Sequence, residues 1–95
     1  MNLTEFQASL EHESPTSSLS PLLQALWLDA KGDWNSAHKL TQSKSDTLAS
    51  WVHAYLHRKE GDLNNARYWY GRAGRPVCNT TLDEEWRDIA RTLLD

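Results

Sequence analysis

From about residue 20 onward, apolar positions recur every three to four residues, and the chain writes this pattern twice. Leu22, Leu23, Leu26 and Trp27 make one helical stripe, and Trp34, Ala37, Leu40 and Thr41 make a second beyond Gly32-Asp33. Leu48, Trp51, Val52, Tyr55 and Leu56 make a third, and Leu63, Ala66, Trp69, Tyr70 and Ala73 a fourth beyond Gly61-Asp62. With Ala25 set against Ala54, a constant offset of 29 brings Gly32-Asp33 onto Gly61-Asp62, Asn35 onto Asn64 and Ala37 onto Ala66. Each copy predicts helix, turn, helix: the glycine leaves the first helix in a left-handed conformation and the aspartate caps the second. Ala37 and Ala66 sit one turn into their helices, where a large side chain would hold the partner helix away.

The flanks carry their own signals. Ser20-Pro21 starts the first repeat helix, with serine as N-cap and proline at the first helical position. Ser43–Asp46 is a connector, and Gly74-Arg75-Pro76 stops the fourth helix. Thr81-Leu82-Asp83-Glu84 reads as a capping box opening a terminal helix, with Leu82, Trp86, Ile89, Ala90 and Leu93 inward. Thr4 and Gln7 suggest a short helix over about residues 5–12, clipped to the body by Phe6 and Leu10, before a Ser/Pro/Thr loop at 14–18. No useful stretch alternates with period two, so no sheet is expected. The predicted fold is all-α: two tandem antiparallel helical hairpins, tetratricopeptide-like, with a short N-terminal helix and a C-terminal capping helix. The divisions fall at 1–19, 20–46 (hairpin 1), 47–76 (hairpin 2) and 77–95. Ala66-x-x-x-Tyr70-x-x-Ala73 fits the second-helix pattern of tetratricopeptide repeats, whose period is about 34 residues. The period of 29 is shorter, and the first copy has Thr41 and Lys44 where that pattern wants an aromatic and a small residue.

Size and composition narrow the functional classes. A chain of 95 residues makes one domain with a small core, burying roughly 60–65 % of its unfolded surface. Five tryptophans and three tyrosines carry much of that burial. A net charge of −3 with interspersed signs argues against a nucleic-acid binder. No segment approaches the ~18 apolar residues of a membrane span, and the first residues show no basic leader. The single Cys78 has no internal disulfide partner and no base beside it. A cytoplasmic protein is expected.

The polar residues on the helices are the candidate chemistry. On a helical wheel His53 and His57 share one flank of the third helix and Arg58 takes the other. Repeat hairpins commonly bind along their first helices, so the histidine flank is expected to face a groove. His-x-x-x-His suits one metal ion, with His38, Glu60 or Asp62 as third ligand. The glutamate that follows the first histidine in zinc proteases is replaced by Ala54. The plainer alternative is a pair of half-buried histidines hydrogen-bonded at a helix interface. On the fourth helix Asn65, Tyr68 and Arg72 share a polar face of the composition favoured in protein-binding hot spots. Arg58, Arg67, Arg72 and Arg75 offer an anion patch or, more simply, a solvated face paired with nearby acids.

The runs Trp51-Val52-His53-Ala54-Tyr55-Leu56-His57-Arg58-Lys59-Glu60-Gly61-Asp62 and Asn65-Ala66-Arg67-Tyr68-Trp69-Tyr70-x-Arg72-Ala73-Gly74-Arg75-Pro76, with Ala25–Trp34 before them, resemble a family of short uncharacterised bacterial proteins with tetratricopeptide-like hairpins. The resemblance covers about residues 20–95. It implies the helical-repeat fold and places His53, His57, Arg58, Tyr68 and Arg72 in the shared motif, but implies no activity. The expected function is a protein-binding module for a peptide, a partner protein or a second copy in a homodimer. Its contacts are His53, His57, Arg58, Asn65, Tyr68 and Arg72, with no cofactor, catalytic set, nucleic acid or membrane. The rival is a small metal-dependent or acid/base enzyme centred on His53 and His57.

Overall fold

A computed structural model describes all residues 1–95 as six α-helices without a strand. They are α1 (Leu3–Ala8, continued by a 3-10 turn at Ser9–Glu11), α2 (Pro21–Ala30), α3 (Trp34–Gln42), α4 (Thr47–Glu60), α5 (Leu63–Ala73) and α6 (Leu82–Leu94). Every α-helix begins with a side-chain cap: Asn2, Ser20, Asp33, Asp46, Asp62 and Thr81 each accept the backbone N–H three residues ahead. The first helix differs from its sequence expectation. Its capping box is Asn2 with Glu5, so α1 starts earlier than Thr4 and Gln7 suggested.

The two Gly-Asp breaks are one turn used twice. Gly32 and Gly61 have φ of +90° and +91°, a left-handed geometry that costs glycine little. In both, the aspartate N–H reaches back to a carbonyl five residues earlier, Asp33 to Leu28 at 2.9 Å and Asp62 to His57 at 3.0 Å. These are Schellman-type closures that satisfy the last carbonyls of α2 and α4. α3 then folds back on α2, and α5 on α4, around Ala37 and Ala66, which are 0 % and 2 % exposed. Leu63 departs from its predicted inward placement and lies on the surface.

The terminal helices cover the first helices of both hairpins. α6 packs on α1, α2 and α4, with Trp86, Ile89 and Ala90 buried. Phe6 stacks on Trp86 with 5.5 Å between ring centroids, fixing α1 to the body. Indole N–H groups act as pins: Trp27 donates to the Ser9 carbonyl, Trp34 to Leu56 and Trp86 to Leu26. These tryptophans, Trp27 and Trp86 buried and Trp34 half-buried, thus satisfy their one polar atom while contributing large apolar area.

Two carboxylates lie inside this core. Asp29 on α2 accepts from the Tyr55 hydroxyl at 3.2 Å and pairs with Lys59 at 3.1 Å. Glu85 on α6 accepts from the Tyr70 hydroxyl at 2.6 Å and the Trp51 indole at 3.1 Å, and pairs with Arg58 at 2.9 Å. Neither carboxylate is more than 1 % exposed, so these donors offset the cost of taking the two groups out of water. Burial, then the charge and hydrogen bond of Asp29, push the Tyr55 hydroxyl pKa upward. Burial and the hydrogen bond to Glu85 do the same for Tyr70.

Candidate functional site

The two histidines singled out on α4 converge with side chains of α3 and α5. His53 and His57, one turn apart on α4, stack with 4.9 Å between ring centroids. His38 on α3 meets both rings edge-on, and its Nε2 lies 2.9 Å from Nε2 of His53. Two tryptophans enclose the trio. Trp34 lies flat against His38 at 4.8 Å, and Trp69 of α5 lies flat against His53 at 3.8 Å and 7°. His53 and His57 are buried; His38 is half-buried at the edge.

Burial is the largest influence on both shifted rings. It lowers the His53 pKa to about 4, helped by neighbouring His38 and His57. His38 is also lowered, first by burial and then by His57, against a raising influence from Glu60. Desolvation disfavours imidazolium, and one positive ring would repel the next. His57 has a different environment: Nδ1 lies 2.6 Å from Glu60 Oε2, and the Asn65 amide nitrogen lies 3.4 Å from Nε2. A carboxylate only accepts, so the Glu60 contact places a proton on His57 Nδ1, and the amide nitrogen of Asn65 faces Nε2. One ring nitrogen each from His38, His53 and His57 falls within 4.8 Å of the others. His57, Glu60 and Asp62 make a second such group, but its two carboxylates are exposed.

The remaining predicted residues divide. Asn65 turns toward His57 as described. The Arg72 guanidinium donates to the Tyr68 hydroxyl at 3.1 Å and lies 5.3 Å from the centre of Trp69. These two therefore adjoin the histidine cluster through Trp69 on the outer face of α5. Arg58 points away, into the Glu85 pair and the Thr80 carbonyl. The arginines do not gather into an anion patch. Arg67 donates to Asn64 and Arg75 lies over the Trp51 ring at 3.4 Å, leaving each of the four on a different partner.

The expected groove along the first helices is also filled differently. α1 and α6 cover α2 and α4 there, while the histidines face α3 and α5. Two clefts remain elsewhere. One of about 320 Å³ lies beside Gln7, Asp29, Tyr55, Lys59 and Trp86. The other, about 220 Å³, lies beside Trp51, Tyr70, Arg75, Cys78 and Glu85. Neither is lined by a histidine. Sequence reasoning assigned Trp34 and Trp69 to the core; they also form the walls of the cluster. It missed buried Glu85, although its spacing from Leu82 and Ile89 on the α6 stripe was the available signal. No helix is long and apolar enough to cross a membrane. Comparisons with family models, with curated proteins and with solved structures give no match.

Proposed function

We infer that the chain is a helical-hairpin interaction module that engages a partner protein or peptide through its α5 face. One observation carries this reading. With the first-helix side covered by α1 and α6, the large exposed hydrophobic side chains of the hairpins are Leu63 at 56 % and Tyr68 at 55 %, both on α5. Arg72 lies against Tyr68, so an aromatic ring and a cation are presented together, as binding hot spots favour. Kinship with the short bacterial tetratricopeptide-like proteins, and a cytoplasmic site of action, belong to the same proposal. The rival enzyme reading lacks a substrate cavity at the histidines, since both clefts lie elsewhere.

The experiment compares wild type with Tyr68→Ala/Arg72→Ala in co-purification from the native host and in light-scattering measurements of mass. Both side chains are on the surface, so helical content should be unchanged. Loss of a specific co-purifying protein, or conversion of a dimer to a monomer, is the expected result. Identical partners and mass in wild type and variant would reject the α5 face.

A further inference from the structure

We propose that His38, His53 and His57 form a binding site for one divalent transition-metal ion of the zinc class, tying hairpin 1 to hairpin 2. The argument is independent of the α5 contact face and rests on the arrangement of three imidazoles. Tetrahedral zinc with three histidines at about 2.0–2.1 Å separates its nitrogen ligands by about 3.3 Å. The His38 and His53 Nε2 atoms already stand 2.9 Å apart, and a nitrogen of His57 lies within 4.8 Å of both partners. Small ring rotations therefore suffice to seat an ion among them. A donor set made only of imidazole nitrogens suits zinc, copper or nickel and not magnesium or calcium.

The outer contacts strengthen the assignment. Histidine ligands commonly donate their other N–H to a carboxylate, which fixes the tautomer and raises ligand basicity. Glu60 stands in that relation to His57 Nδ1, leaving the Nε2 lone pair facing the amide of Asn65. Asn65 would yield that position to the ion. In the His38–His53 contact one Nε2 carries the proton and the other accepts it. Coordination needs both lone pairs, so the donating ring must take its other tautomer with the proton on Nδ1. Trp34 and Trp69 fix the planes of His38 and His53, and half-buried His38 leaves a route from solvent. Three protein ligands leave the fourth position for water or for a donor brought by a partner.

The test uses tag-free full-length protein stripped with a chelator and titrated with zinc chloride by calorimetry and by thermal melting. The expected result is one saturable site of about micromolar affinity or tighter, with a melting temperature that rises with zinc concentration. Cobalt(II) should give the intense visible bands of a tetrahedral site. His38→Gln, at the edge of the cluster, should weaken binding at least about 100-fold, and Glu60→Gln about 10–100-fold. Imidazole NMR of wild type makes the result independent of any variant's folding: zinc should shift His38, His53 and His57 together and leave exposed His12 unmoved. No saturable binding up to about millimolar zinc, undiminished affinity in folded His38→Gln, or shifts confined to His12 would overturn the proposal.

Discussion

Replacing Glu85 by leucine tests whether its buried carboxylate organises the core. The side chain is 1 % exposed and accepts from two neutral donors, the Tyr70 hydroxyl and the Trp51 indole, both belonging to buried residues. Glu85→Leu strands these donors, and each buried group left without an acceptor costs about 1–3 kcal/mol. Arg58 keeps the Thr80 carbonyl and reaches solvent more easily, so it adds less. The new leucine returns about 1–2 kcal/mol of apolar burial. At the midpoints of these ranges the net loss should be about 2.5 kcal/mol, a large part of the roughly 5–10 kcal/mol expected for a domain of this size. Urea unfolding followed by circular dichroism and tryptophan fluorescence measures it. Glu84→Gln, one residue away and exposed, keeps a side chain suited to the cap; it is the control and should stay within about 0.5 kcal/mol of wild type. Adding Tyr70→Phe to Glu85→Leu removes one stranded hydroxyl and should recover about 1 kcal/mol. A loss below about 1 kcal/mol for Glu85→Leu, or no recovery in the double variant, would refute the reasoning.

Two glycines predict changes of opposite sign. Gly61→Ala forces a side chain into a left-handed backbone with no steric neighbour within 4 Å, and should cost about 1 kcal/mol in urea unfolding. Gly71→Ala lies inside α5 with equally open space, and should stabilise by about 0.5–1 kcal/mol in the same measurement. Alkaline pH probes the buried phenols. Tyr55 and Tyr70 have pKa values raised above the ordinary 10.0, so the native state keeps their protons where the unfolded chain releases them. Their contribution is complete below that value and declines above it, by up to about 1.4 kcal/mol per pH unit for each tyrosine. Absorbance should show both phenolates forming only as helicity is lost; ionisation in the folded state would contradict their burial.

Much of the helical plan was legible because its signals are local. Ser20-Pro21, Gly32-Asp33, Gly61-Asp62 and Gly74 act within a few residues of themselves, and the helices begin and end at them. Matching alanines likewise foretold how each hairpin closes. The direction in which His53 and His57 face was not legible. A wheel gives the flank of α4, but which neighbour meets that flank depends on how one hairpin stacks against the other. His38 entered the sequence reading only as one of three possible partners; its place beside His53 comes from α3 packing on α4. Arg58 illustrates the same limit. Its carboxylate lies 27 positions ahead on a helix whose docking no local signal specifies. Leu63 was misjudged because it opens α5, where a position on the apolar stripe can extend past the body it would pack against.

The placement of α6 also sets an order of events during synthesis. Trp51, Arg58 and Tyr70 leave the ribosome before Glu85, and the Leu26 carbonyl waits through 60 residues for the Trp86 indole. Until α6 arrives, the nascent hairpins expose an uncompensated guanidinium and an unroofed aromatic floor, a state suited to chaperone capture. A product cut short before α6 would keep that exposed surface and become a substrate for proteolysis.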